Sequence, residues 1–210
     1  MINVRVMPAS EKYASTLDYI KHESIAPSFI HDRLGGRAAA EYNKVCHGMM
    51  IAVPDDASDE EKYEIAYGNW ICMGKHSFKM IREKMGEEGI NQFVRFDIEA
   101  LKKENSGLPM LLLNTIRFFS PTTAFSMTMK QLLYKLQWLT VYTISQPARD
   151  KFVVNIPQCK LLDYADSNDL CKVGCQVVYP VWLREHFKVK MQPEPQDNHS
   201  CMITFTPMEK

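Results

Sequence analysis

Residues 138–156, WLTVYTISQPARDKFVVNI, decide how this chain is read. Trp138 to Ser145 gathers Val, Thr, Ile and Tyr. Lys151 to Ile156 is a second run of the same kind, set off by Gln146-Pro147-Ala148-Arg149-Asp150. β-branched and aromatic residues bounded by a polar, proline-containing turn suit a pleated, half-buried surface, so the stretch predicts an antiparallel hairpin.

Upstream of it the apolar period is helical. Ser10 can cap a helix from Glu11 with Tyr13, Leu17 and Ile20 on one face, limited by Pro27. Leu34, Ala38, Tyr42, Val45 and Met49 predict a second helix from Asp32 to about Val53, loosened at Gly35-Gly36. Ser58 with Glu61 forms a capping-box pattern opening a helix from Asp59 to Met85 that stops at Gly86 or Gly89. Gly68 and Gly74 inside it each cost about 1 kcal/mol relative to alanine, which predicts close packing against another element. Further helices are expected from Asn91 to Lys103, Pro109 to Phe119 and Pro121 to Lys135.

Downstream, a helix from Leu170 to Phe187 is kinked or split by Pro180, followed by strands at Lys188–Gln192 and Met202–Thr206 across a turn from Pro193 to Ser200. The expected architecture is one α+β domain over 1–210, helical through 1–136, with a ββαββ antiparallel sheet of about four strands over 137–210.

The chain of 210 residues carries 25 basic and 25 acidic side chains, so no long-range field would gather nucleic acid or an anionic membrane. The start, Met1-Ile2-Asn3-Val4-Arg5-Val6, lacks the pattern of a secretory signal, and no apolar run approaches the roughly 20 residues that span a bilayer. The expectations are a cytoplasmic location, reduced thiols, no nucleic-acid or membrane partner, and a small-molecule substrate or ligand, with homodimerisation left open.

Four of six cysteines, Cys159, Cys171, Cys175 and Cys201, fall in the last quarter. Cys171 and Cys175 share a helix face, but Cys159 and Cys201 lack the tight pairing of a zinc knuckle. Cys46, His47, Cys72 and His76 allow a mixed zinc site to be drawn, against which a core cysteine and a partly exposed histidine are the simpler account. Asp197, His199 and Cys201 place an acid, a base and a thiol on one turn, the residue types of an activated nucleophile. Asp163, Asp166 and Asp169 lack the spacing of a calcium loop. Thirteen methionines with Phe118, Phe119, Phe125, Tyr134 and Trp138 either line a pocket for a flat apolar ligand such as a tetrapyrrole or simply pack. There is no phosphate-binding loop, nucleophile elbow or paired zinc motif, and no cofactor is specified.

Three stretches carry a family resemblance: Phe152-Val153-Val154-Asn155-Ile156-Pro157-Gln158-Cys159, Cys171-Lys172-Val173-Gly174-Cys175, and Asp197-Asn198-His199-Ser200-Cys201-Met202-Ile203-Thr204-Phe205. Over roughly 137–207 the chain resembles the L-2-amino-thiazoline-4-carboxylic acid hydrolase family. A similar layout occurs in vinyl-reductase-like (V4R) small-molecule-binding domains. The chain departs from both where a Gly-Asp pair usually precedes the last cysteine and Gln196-Asp197-Asn198-His199 stands instead. The hydrolase resemblance implies opening of a small heterocyclic or amide-like C–N bond. Cys159, Cys175 and Cys201 are then the thiol candidates and His199 and Asp197 the proton-transfer candidates, between the C-terminal sheet and the helix Asp59 to Met85. The binding-domain resemblance implies a non-catalytic pocket for a hydrophobic or tetrapyrrole ligand.

Overall fold

A computed structural model describes residues 4–147, 150–164, 168–196 and 198–208. Six helices come first: α1 (Ala9–His22), α2 (Ile25–Leu34), α3 (Gly36–Met49), α4 (Asp59–Glu104), α5 (Leu108–Phe119) and α6 (Pro121–Leu136). Strands β1 (Thr143–Pro147) and β2 (Phe152–Ile156) follow. A 3₁₀ turn, Lys160–Asp163, leads to the helical run 170–187, and β3 (Val189–Pro195) and β4 (Cys201–Pro207) close the fold. The architecture is α+β.

Several boundaries differ from the sequence expectation for identifiable reasons. Pro27 does not end a helix; it lies in the first turn of α2, where its missing N–H has no helical partner to lose. Gly35, at φ +86°, then separates α2 from α3. The Ser58–Glu61 capping box forms as expected, each side chain bonded to the other's backbone N–H. Gly86 breaks the helix at φ +67°, but the chain resumes helical geometry at once, so α4 continues to Glu104. Pro180 does not split the run 170–187. Wide π turns over Leu170–Val178 and Leu183–Phe187 flank the α-helical Tyr179–Trp182, and Pro180 falls in the first turn of that segment, where a missing N–H is tolerated.

Glycines 68 and 74 play different parts. A Cβ on Gly74 would stand 2.6 Å from Leu170 Cδ2, so this glycine admits the 170–187 run against α4. At Gly68 the nearest atoms, on Tyr164, are 3.9 Å away and nothing is crowded.

The four strands pair antiparallel in the order β1-β2-β4-β3. Val154 faces Ile203 and Ile156 faces Cys201 across β2 and β4, while Met191, Pro193 and Pro195 of β3 face Phe205, Ile203 and Cys201. Because side chains alternate, these residues together with Phe152 form one apolar face. β3 extends past Gln192 through two prolines because it is an edge strand, whose outward N–H groups need no partner. β1 starts only at Thr143. Residues 138–140 instead form a buried turn pinned to α4, with Tyr63 Oη donating to the Trp138 carbonyl at 2.6 Å and Tyr67 Oη to that of Leu139 at 3.0 Å.

Substitution at the two glycines separates helix propensity from packing. Gly68→Ala is expected to raise stability by up to about 1 kcal/mol, whereas Gly74→Val should lower it by about 1–3 kcal/mol through overpacking. Chemical denaturation of both variants reads this directly; equal effects would contradict the close approach at Gly74.

Candidate functional site

The apolar face of the sheet is one wall of a cavity of about 770 Å³. Ile156, Met191, Cys201, Ile203 and Phe205 supply that wall by strand alternation. The run 170–187 contributes Cys171, Cys175, Tyr179 and Trp182; α5 and α6 contribute Met110, Leu113, Ile116, Met127 and Leu132; α1 contributes Tyr19 and His22. The long helix from Asp59 to Met85 does not reach this space. The pinned turn 138–140 lies between, presenting Trp138 and Leu139 to the cavity, so the wall opposite the sheet is not the one expected. Only the last turns of α4, at Leu101 and Glu104, take part.

All four C-terminal cysteines line this one cavity, and all are free thiols. Cys201 points inward because its register partners, Ile156 and Pro195, do. Cys159 is set at the end of β2 by its backbone N–H, which donates to the His199 carbonyl at 2.8 Å. Cys171 Sγ accepts a long hydrogen bond of 3.6 Å from Gln176 Nε2. The apolar setting favours the protonated form of three of them: burial pushes the Cys201 thiol up to about 11, and burial followed by the neighbouring thiols pushes Cys175 well above its ordinary range. Cys159 moves the same way, chiefly through burial.

Of the proposed proton-transfer residues, His199 does not join them. His199 sits at φ +62° in the turn before β4 with its side chain exposed, and it is its carbonyl, not its ring, that meets Cys159. Asp197 lies outside the described residues, as does Asp166. Asp163 accepts from Gln158 at 2.8 Å, and Asp169 is held by Arg82 at 2.5 Å, so these two serve local structure. Among the described residues no three His, Cys, Asp or Glu side chains are arranged to hold a metal ion. Cys46 is buried in the core, His47 is exposed, and His76 stacks on Tyr42 with ring centroids 5.3 Å apart. Of the aromatic residues singled out from the sequence, Trp138 lines the cavity. Phe125 packs on Phe152, Tyr134 bonds to Glu11 and Arg5, and Phe118 and Phe119 are exposed.

The cavity also has a polar end that the sequence did not signal. His22 Nε2 lies 2.8 Å from Asp97 Oδ1 and its Nδ1 lies 2.9 Å from Glu104 Oε2, with the imidazole only 11 % exposed. Carboxylates on both ring nitrogens require both to donate, which only the imidazolium can do. Burial opposes that charge, but the two hydrogen bonds and their charges outweigh it and push His22 up to about 9. Beside it, burial and the Asp97 charge push the Glu23 carboxyl up to about 7. A satellite space of about 50 Å³ next to His22, Glu23 and Asp97 shares Tyr19, Cys175 and Tyr179 with the main cavity. Tyr19 stacks on Trp138 at 4.2 Å, and Trp182 keeps its indole N–H without an acceptor among the described residues.

Compared with family models, curated proteins and solved structures, the chain matches none of them. The reading of the site therefore stands on its geometry.

The histidine cluster sets a pH dependence. A folded pKa of about 9 against 6.5 stabilises the fold fully below 6.5, and the stabilisation is lost as pH rises through 9. Discounted for the half-exposed Glu104, the loss between about pH 6 and pH 9.5 is on the order of 2 kcal/mol. His22→Gln should flatten urea-unfolding free energies across that window, and an unchanged slope would show that the ring is not charged. The thiols supply a second check. With Cys201 up at about 11 from 9.0, site-resolved iodoacetamide labelling of native protein near neutral pH should be about 100-fold slower at Cys201 than at an unshifted cysteine. Rapid labelling there would mark an activated thiolate.

Proposed function

We propose that this chain is a small-molecule-binding module whose cavity takes one elongated, largely apolar ligand with a hydrogen-bonding end. The observation that carries the reading is the cavity itself: about 770 Å³, walled mainly by aliphatic, aromatic and sulfur-bearing side chains, with only a few charged groups, among them the His22–Glu104 pair. That volume lies within the range of ligand pockets, and a few convergent polar groups in an apolar wall are what orients a bound molecule. Neutral thiols and thioethers suit such a wall because sulfur is polarisable and its contacts adapt to shape. In the same wall the Trp182 indole N–H, without an acceptor among the described residues, offers a donor to a ligand head group.

A hydrolase of the aminothiazoline-carboxylate type is the second reading, favoured by the convergence of Cys159, Cys175 and Cys201 on one cavity. It needs a thiolate and a base to form it. Burial works against the thiolate, and the imidazole in the wall, His22, is already committed to two carboxylates. The geometry thus supports holding a ligand better than cleaving one.

The test is saturable binding of an apolar fluorophore such as anilinonaphthalene sulfonate, followed by energy transfer from Trp138 and Trp182 in the wall. One probe should bind per chain, and Ile203→Trp, which fills the cavity from the sheet side, should weaken it by about tenfold or more. Non-saturable binding, or binding indifferent to the filled cavity, would remove the proposal. Consumption of a heterocyclic C–N substrate, lost in Cys201→Ser, would establish the hydrolytic reading instead.

A further inference from the structure

The neutral total charge hides an uneven distribution. Between Glu104 and Asp150 the chain contains no acidic residue, yet it carries Arg117, Lys130, Lys135 and Arg149. Of these, Arg117, Lys130 and Lys135 belong to the α5–α6 hairpin, which holds no acid, and the apolar side chains of α5 are divided between two faces. Met110, Leu113 and Ile116 of α5 turn to the cavity. Leu108, Leu111, Phe118 and Phe119 lie on the opposite face at helical spacing and are 68 %, 63 %, 74 % and 80 % exposed. Four large apolar side chains on one outward stripe exceed the scattered exposure normal for a protein surface.

Lys130 adds an exposed cation on α6. Arg117 Nη2 donates to the Phe187 carbonyl at 2.9 Å, which brings the end of α5 beside exposed Lys188. Two acids on adjoining elements are already engaged: Glu185 lies 2.6 Å from Lys102, and Glu104 is held by His22. α5 is too short to cross a bilayer, and no helix of the described residues is long and apolar enough to do so. An apolar helical face on an acid-free, cationic element is instead the signature of a helix lying in the interface of an anionic membrane.

We propose that the outer face of the α5–α6 hairpin is a peripheral docking surface for an anionic lipid bilayer, and that the cavity behind α5 exchanges its ligand with that bilayer. The second half rests on the ligand-binding reading; the docking surface does not. α5 is suited to both tasks because one face walls the cavity while the other meets lipid. Gly107, at φ +99° with open space around it, joins α5 to the body at the edge of the cavity.

Vesicle co-sedimentation of the full chain tests this. The protein should pellet with phosphatidylcholine vesicles containing phosphatidylglycerol, less with phosphatidylcholine alone, and less again as salt screens the cations. The triple variant Leu111→Ser, Phe118→Ser and Phe119→Ser changes only exposed positions outside the cavity wall, and should lower vesicle affinity about tenfold or more while binding the soluble fluorophore as before. Ile203→Trp should do the reverse, losing the fluorophore and keeping the vesicles. No association with anionic vesicles, or equal association of the triple variant, would overturn the docking surface. Size-exclusion chromatography adds one more outcome that would overturn it: a dimer that the triple variant dissociates, without vesicle binding, would make a second copy the occupant of this face. Fluorophore binding lost in the wild-type protein, with vesicle binding intact, would sink the cavity reading alone.

Discussion

The register between β2 and β4, in which Val154 meets Ile203 and Ile156 meets Cys201, governs everything built on the sheet. Side chains on a strand alternate between faces, so a slip of one residue would turn Cys201, Ile203 and Phe205 away from the cavity and put Met202 and Thr204 in their place. β3 inherits the same register through its pairing with β4, which is why Met191, Pro193 and Pro195 reach the same space. The pairing is held by burial: Phe152, Val154, Ile203 and Phe205 are all in the core, and exposing them would cost about 1.5–3 kcal/mol each.

A cavity of this size is a liability for a fold held by close packing, since its walls forgo contacts they would otherwise make. The structure confines the void to the junction of the sheet, the run 170–187 and the α5–α6 hairpin, while α4 packs tightly elsewhere. Tyr63 and Tyr67 secure that division. By hydrogen-bonding the carbonyls of residues 138 and 139 they keep the turn wedged between α4 and the cavity, with Trp138 stacked on Tyr19 as the partition. The few charged groups in the wall include the His22–Glu104 pair, so whatever enters the void meets a mainly apolar surface with a polar contact.

Parts of this arrangement were legible in the sequence because they rest on local rules. The Ser58–Glu61 cap, the break at Gly86, the prolines opening α5 and α6, and the alternation of residues 152–156 each follow from interactions within a few positions. The concentration of cysteines was legible too, as a place. Its chemistry was not, because a thiol's proton affinity depends on what surrounds it in space. The Asp197–His199–Cys201 turn illustrates the difference: an imidazole two residues from a thiol in sequence is directed to solvent once the backbone takes a left-handed turn at His199. Conversely, His22 meets Asp97 and Glu104 across 75 and 82 residues, and no spacing in the sequence announces such a cluster.

By itself the sequence determined a helical front ahead of a C-terminal sheet, the antiparallel character of that sheet and the sulfur-rich character of the last quarter. These are consequences of periodicity, capping and residue type, which act over one or two turns of chain. Only the tertiary structure decided that four thiols face a single cavity, that α4 reaches it only through its last turns, that a histidine held between two carboxylates lies in its wall, and that α5 has apolar side chains on both faces. Each of those depends on which distant segments exclude water together, and burial is a property of the packed molecule rather than of any stretch within it.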